Sequence, residues 1–347
     1  MSSIYNFCAG PGMLPPEVIE HLREDMLHWG NTGCGLLEVS HRTSAYADLK
    51  AHTEANLLKL FGLDDQYTIL LLQGGASAQF AMLPYNCLRE GASADYLVRG
   101  YWAEKAAQQA ARVARIRRLH DLRDGWRNDA VYAHVTTNET ISGTALPENF
   151  TKPDVPLCAD MSSDILARPR QYRDYVFFYA GAQKNLGVAG LAIVVAEKEF
   201  LSKARRNLPA AFCYLEHAKA NGLYHTPNTF AVAALRHVTD WLLATGIETV
   251  WAQNQRKAEK LYAELDASSF WRPIAPHNER SITNVTFRLP SAELETRFLV
   301  EASHQGLLAL KGHRSAGGIR VSLYNAMPES GVDKLIAFMR EFNQIHG

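Results

Sequence analysis

One lysine stands in a setting suited to covalent chemistry. The stretch Tyr179-Ala180-Gly181-Ala182-Gln183-Lys184-Asn185-Leu186-Gly187 leads from an apolar run through small residues to a single amine. Small neighbours let a flat ring approach the backbone, and α/β sheets bind ligands at the carboxyl ends of their strands. An amine there can form and exchange imines; by this segment alone, an exposed loop lysine fits equally well. Asp160 closes the preceding apolar run, residues 156–159, so both side chains belong at one edge of a sheet. A buried carboxylate needs a cationic partner, and a protonated pyridine nitrogen is one. A helix N-cap is the alternative for Asp160, since Ser162 and Ser163 follow.

Gly74-Gly75-Ala76-Ser77-Ala78-Gln79 lies between a strand-like run and a helix-like one. It offers free backbone N–H groups at a positive helix end, a seat for phosphate, though it matches neither the dinucleotide fingerprint nor the Walker loop. Trp102, in Gly100-Tyr101-Trp102, opens a helix after a strand and is placed either to stack on a planar group or to fill a core. Two cationic pairs remain, His41-Arg42 after Ser40 and His313-Arg314 after Lys311-Gly312; Arg320 follows at Gly317-Gly318-Ile319-Arg320. Such groups bind carboxylates or phosphates by fork-like donors, or simply meet water. The histidines show no metal-ligand spacing, and no Gly-x-Ser-x-Gly elbow is present.

These residues need a scaffold. Residues 67–73, 94–98, 131–135, 156–159, 176–179 and 191–196 are short, nearly continuous apolar runs, as in a mostly parallel sheet buried on both faces. Helical patterns separate them at 77–88 and 102–112. Two long helices, 230–244 and about 248–265, lead to a strand–helix–strand–helix tail that alternates from near Ala267. We therefore expect an α/β protein with a large domain over 16–254 and a smaller α+β C-terminal domain over 255–347. Residues 1–15 are expected to pack near the active site.

At 347 residues the chain is too long for one ordinary core. Lys plus Arg (36) equal Asp plus Glu (36), so no overall field favours nucleic acid or a membrane surface. The one basic cluster, Arg112, Arg115, Arg117 and Arg118, alternates with apolar residues and reads as a solvated face of a strand or helix end. Five scattered cysteines without CxxC spacing suggest neither a disulfide framework nor a zinc site, and fit a reducing cytoplasm. No apolar run reaches membrane-spanning length, and the N-terminus lacks a signal-peptide pattern.

Read in order, the segments resemble the phosphoserine aminotransferases, a family of fold-type-I pyridoxal-phosphate enzymes. The resemblance rests on Asn6-Phe7-Cys8-Ala9-Gly10-Pro11, Glu38-Val39-Ser40-His41-Arg42, the 73–80 stretch, Gly100-Tyr101-Trp102 and Asn138-Glu139-Thr140-Ile141-Ser142-Gly143. It continues through Ala159-Asp160-Met161-Ser162-Ser163, Ala180-Gly181-Ala182-Gln183-Lys184-Asn185, Thr226-Pro227-Asn228-Thr229-Phe230, Lys311-Gly312-His313-Arg314 and Tyr324-Asn325-Ala326-Met327-Pro328.

The resemblance implies a seven-stranded, mostly parallel sheet and pyridoxal 5'-phosphate as cofactor. Lys184 would bond the cofactor aldehyde, Asp160 pair with the ring nitrogen, Trp102 stack on the ring and Thr140 donate to its phenolic oxygen. Ala76, Ser77 and Gln183 would hold the cofactor phosphate, joined by His225 and Thr226 of a second subunit in an obligate homodimer with shared sites. Arg320 would take the substrate α-carboxylate; His41, Arg42, His313 and Arg314 would take the distal phosphate or carboxylate.

The implied reaction converts 3-phosphonooxypyruvate and L-glutamate reversibly to O-phospho-L-serine and 2-oxoglutarate in serine biosynthesis. The family's second substrate, 4-phosphohydroxythreonine of vitamin B6 synthesis, is left open. Four places depart from the commonest pattern: Ser77 stands for an arginine, His225 for an asparagine, Cys8-Ala9 for serines, and the 119–131 connection is short. A desulfurase on the same scaffold would need a cysteine late in the chain, and none follows Cys213. A non-catalytic ligand-binding protein is opposed by the presence of Asp160, Lys184 and both His-Arg pairs.

Overall fold

Apolar runs too short for helices pair side by side, and their alternating side chains fill two cores at once. In the computed structural model, which describes residues 4–205 and 207–347, seven strands form the main sheet. Their spatial order is Tyr67–Leu72, Ala192–Glu197, Phe177–Gly181, Leu157–Asp160, Ala133–Thr136, Ser93–Leu97 and Arg115–Leu119. Ala192–Glu197 runs antiparallel to both neighbours, and every other pairing is parallel. Along Tyr67–Leu72, Ile69 and Leu71 enter one core while Leu70 and Leu72 enter the other, the period-2 pattern of a strand buried on both faces.

The first core lies under helices Pro16–Leu27, Ser44–Phe61 and Thr229–Thr245; the second lies under Gly75–Cys87 and Tyr101–Ala110. Of the arginine cluster, Arg115, Arg117 and Arg118 lie on the edge strand Arg115–Leu119, which pairs on one side only, and Arg112 lies in the turn before it. Arg115 is exposed there, and charge on an open edge discourages further pairing.

A third core gathers residues 258–342 around the antiparallel strands Arg272–Pro273, Asn284–Arg288 and Ile319–Ser322. Helices Ala292–His304 and Glu329–His346 cover it. The 20-residue helix Ile247–Asp266 passes from one unit to the other: Val250 sits in the first core, and Ala258, Leu261 and Leu265 sit in the third. The N-terminal segment joins the third core as well. Phe7 is fully buried within it, and Tyr5–Asn6 pairs in parallel with Leu307–Leu308. Past Phe7, the Ala9 carbonyl accepts from Tyr324 Oη at 2.8 Å, and Gly12 N–H donates to the Gln183 carbonyl at 2.8 Å. Among the described residues no helix is long and apolar enough to cross a membrane.

Candidate active site

The strand Phe177–Gly181 delivers its chain end beside that of Leu157–Asp160, with Asp160 in register with Tyr179. Just beyond, Lys184 Nζ donates to Thr140 Oγ1 at 2.9 Å and lies 5.8 Å from the centre of the Trp102 ring. Its neighbour Asn185 is held firmly: Nδ2 donates to the Ile165 carbonyl and Oδ1 accepts from Asn325 N–H, both at 3.0 Å. The Tyr324–Pro328 motif thus acts as a brace for the lysine loop. Burial pushes the Lys184 amine below its ordinary pKa; the Asp160 and Glu139 carboxylates pull it back up, and Arg320 opposes them. A desolvated amine spends more of its time neutral, the form that attacks carbonyl carbon.

Asp160 is 5% exposed. It accepts twice from Ser162, from N–H at 2.9 Å and from Oγ at 2.6 Å, and both bonds go to Oδ1. The carboxylate therefore caps the turn through Oδ1, and Oδ2 of this cavity-lining residue has no hydrogen-bond partner among the described residues. Burial raises its pKa, while the Ser162 bonds and the Lys184 charge hold it down.

Both groups border a cavity of about 350 Å³. One wall is the start of helix Gly75–Cys87, with Gly75, Ala76 and Ser77 at its edge. Gly74 and Gly75 both have left-handed φ values, 93° and 61°, and no side chain caps the helix. Its first-turn N–H groups are therefore available to an anion. A Cβ at Gly74 would stand 2.7 Å from the Ala78 Cβ, so the turn needs glycine twice over. The lining also includes Trp102, Thr140, Gln183, His313 and Arg320. Arg320 Nε is buried without a partner, and the guanidinium has no carboxylate beside it among the described residues.

These features fit pyridoxal phosphate. A buried carboxylate with one oxygen not hydrogen-bonded and a desolvated amine line the same cavity, an indole flanks the amine, and uncapped helix N–H groups border the same space. Each is short of what the cofactor's ring nitrogen, aldehyde, ring face or phosphate would provide.

Of the residues anticipated from sequence, Ala76, Ser77, Trp102, Thr140, Asp160, Gln183, Lys184, His313 and Arg320 line this cavity together. Five do not. His41 and Arg42 precede helix Ser44–Phe61, Arg314 is exposed beside His313, and His225 and Thr226 lie outside the lining. Thr226 does come near the Gly74-Gly75 turn, accepting from Gln73 Nε2 through its carbonyl at 2.9 Å.

Phe80, Asn138 and Ser162 also line the cavity, though the sequence reading gave them no role there. Asn138 joins the large unit to the small one, donating to Ser163 Oγ and to Asn284 Oδ1, each at 2.8 Å. Its neighbour Glu139, 2% exposed, accepts from Trp102 N–H and Ala103 N–H at 3.0 and 2.8 Å. Only the clustering of Asn138-Glu139-Thr140 in one motif hinted at them, because their partners lie tens of residues away.

The chain matches the model of the family described as aminotransferase class-V over residues 4–335. It is similar to a phosphoserine aminotransferase of Herpetosiphon aurantiacus, with 42% identity across 98% of each chain. Among solved structures, it resembles the phosphoserine aminotransferase of Bacillus circulans subsp. alkalophilus, with a TM-score of 0.95, 38% identity and 99% of each chain covered. The pyridoxal-phosphate-bound phosphoserine aminotransferase of Trichomonas vaginalis gives a TM-score of 0.92 at 32% identity, over 97% of this chain and 100% of that one.

Proposed function

The chain belongs to the class-V aminotransferases and, among them, to the phosphoserine aminotransferases, and we propose on that footing how its own residues carry the reaction. It is a pyridoxal-phosphate-dependent enzyme that transfers the amino group of L-glutamate to 3-phosphonooxypyruvate, yielding O-phospho-L-serine and 2-oxoglutarate in serine biosynthesis. The observation that carries the residue assignment is the Lys184–Thr140 contact, in the same cavity that Asp160 lines with Oδ1 tied to Ser162.

When bound, the cofactor supplies an aldehyde that exchanges amines and a ring that takes up an electron pair. Asp160 Oδ2 would hold the proton of the ring nitrogen, and Trp102 would cover one ring face. Ala76 and Ser77 N–H groups, with Gln183, would hold the phosphate at the helix end. Arg320, which has no carboxylate partner among the described residues, would fix the substrate α-carboxylate by its fork of donors. Lys184 Nζ would then take the proton from Cα of the amino donor in the first half of the reaction and deliver a proton to Cα of the newly formed amino acid in the second. Thr140 keeps that amine in place between the two events. Desolvation makes Lys184 a base, and the nearby carboxylates stabilise it once protonated.

The distal phosphate site would be completed in a homodimer. His41, Arg42, His225 and Thr226 stay outside their own chain's cavity, and Arg42 has no carboxylate partner among the described residues. Nearby, Met26, Leu27 and Leu37 are 46%, 66% and 60% exposed, an apolar surface that a second copy would cover. His313 in the cavity wall and Arg314 beside it would meet the partner's pair across the substrate. The five free cysteines suit a cytoplasmic setting.

Adding L-glutamate to the cofactor-loaded protein should shift its visible absorbance, and 3-phosphonooxypyruvate should restore it. No shift with glutamate would overturn the assignment. Running 4-phosphohydroxythreonine alongside O-phospho-L-serine as amino donor measures how far the second family substrate is used.

A further inference from the structure

The helix that carries Trp102 begins without a cap of its own. Its N-cap position is Gly100, and no side chain of the helix accepts from the first turn. The missing acceptor comes from the two-residue strand Asn138–Glu139, whose Glu139 carboxylate closes on the helix end. Oε2 accepts from Trp102 N–H at 3.0 Å and Oε1 from Ala103 N–H at 2.8 Å. One carboxylate thus binds two successive backbone donors at the positive end of a helix, the arrangement that fixes such an end most firmly.

The approach is so close that residue 100 has room for nothing larger than glycine. A Cβ there would stand 2.4 Å from Glu139 Cδ and 2.5 Å from its Cγ. Gly100 itself is extended, with φ −168°, so space and not backbone conformation requires the glycine. Glu139 is 2% exposed, and burial raises its pKa while the two N–H bonds hold it down. No lysine or arginine forms an ion pair with it among the described residues. The Lys184 charge helps to hold its pKa down from a distance, but a buried acid without a direct ion pair is costly unless its bonds offset the lost hydration.

We infer that Glu139 is a positioning residue: by clamping the Trp102 and Ala103 N–H groups it sets where the Trp102 indole stands over the cavity. Among the described residues the indole Nε1 has no hydrogen-bond partner, so no bond from the ring fixes its orientation. Its ring neighbours are Phe80, with centroids 6.4 Å apart, and Tyr101 on the same helix turn at 5.2 Å, so backbone placement at residue 102 sets where the indole enters that packing. Glu139 is followed directly by Thr140, which holds Lys184 Nζ. The same two-residue segment consequently sets the distance between the indole and the amine. The consequence for the cofactor rests on the assignment of this cavity to pyridoxal phosphate; the consequence for the indole does not.

The test uses the full chain labelled with 5-fluorotryptophan, in which the 19F resonance lost in Trp102→Phe identifies residue 102. Glu139→Gln is nearly isosteric, yet its NH2 group faces one of the two N–H donors. It should move or broaden the Trp102 resonance in the cofactor-free protein and leave the other tryptophans in place. Gly100→Ala, which keeps the carboxylate but pushes it aside, should give the same change. In the loaded enzyme, Glu139→Gln should weaken pyridoxal phosphate about tenfold, alter its visible circular dichroism, and lower kcat while KM for 3-phosphonooxypyruvate stays unchanged. A Trp102 resonance unmoved in both variants would overturn the inference and leave Glu139 as a helix cap alone. A moved resonance in a protein whose wild type takes up no pyridoxal phosphate would instead uphold the clamp and overturn the cofactor assignment.

Discussion

Ser162 donates to Asp160 twice, and both bonds end on the same oxygen, Oδ1. The two oxygens are thereby unlike: one is tied into the turn, and the other has no hydrogen-bond partner among the described residues. Asp160→Asn should retain the cofactor but slow turnover, because an amide cannot hold the ring proton. The loss of a buried charge-assisted contact is on the order of 2–4 kcal/mol in the transition state. Near wild-type turnover would make Asp160 a cap and nothing more.

Ser162→Ala should act more mildly and through pH. Burial already raises the Asp160 pKa, and the serine bonds lower it. A working carboxylate is ionised above its pKa, so activity that depends on it is lost as pH falls through that value. Removing the hydroxyl bond raises the pKa further and moves the acid limb of kcat/KM to higher pH. An acid limb that stays in place, measured from pH profiles of both proteins, would contradict this.

Away from the cavity, His134 lies 1% exposed in the sheet, with Nε2 3.0 Å from Tyr179 Oη and Nδ1 unpartnered. Burial pushes its pKa down to about 3. In the unfolded chain the value returns to about 6.5. Between those values the unfolded state binds a proton that the folded state refuses, so stability present above about pH 6.5 is lost as pH falls. At about pH 5 the loss is about 2 kcal/mol. Urea unfolding should show His134→Gln losing less stability than wild type between about pH 7.5 and about pH 5, by roughly that amount. Equal losses would mean that the ring takes up its proton in place.

The strands that end at Asp160 and Gly181 were legible because each is a short apolar run closed by a polar or glycine residue. Lys184, Trp102 and the Gly74-Gly75 turn could be read for the same reason: their chemistry is written next to the element that holds them. Glu139 was not legible as a clamp, since its contacts to Trp102 and Ala103 are made across the fold. Arg115–Leu119 shows a different difficulty, for an edge strand rich in arginine lacks the apolar signal of its buried neighbours. The helix Ile247–Asp266 crosses between the cores with its periodicity unbroken, and the expected boundary at 254 and 255 falls between Val250 in the first and Ala258 in the third. His41 and Arg42 fall outside their own chain's cavity, where the motif alone gives the chemistry but not the subunit it serves.

That last point predicts complementation. Arg42→Ala should weaken phosphoserine far more than alanine, a poor amino donor lacking the distal group, since a desolvated arginine bond is worth roughly 1.5–3 kcal/mol. Arg314→Ala should do the same. Refolding Arg42→Ala together with Lys184→Ala should then recover about a quarter of wild-type turnover, because half of randomly mixed dimers would carry one intact site each. Mixtures no better than Arg42→Ala alone would place Arg42 in its own subunit's reaction.

The central claim is that this chain moves an amino group through the Lys184 site. Incubation of the cofactor-loaded protein with 15N-labelled L-glutamate and 3-phosphonooxypyruvate measures that directly by mass spectrometry. Wild type should produce 15N-labelled O-phospho-L-serine over many turnovers, while Lys184→Ala, folded and dimeric, should produce none beyond one equivalent per site. Labelled product accumulating over many turnovers in Lys184→Ala, or no labelled product from wild type, would contradict the account.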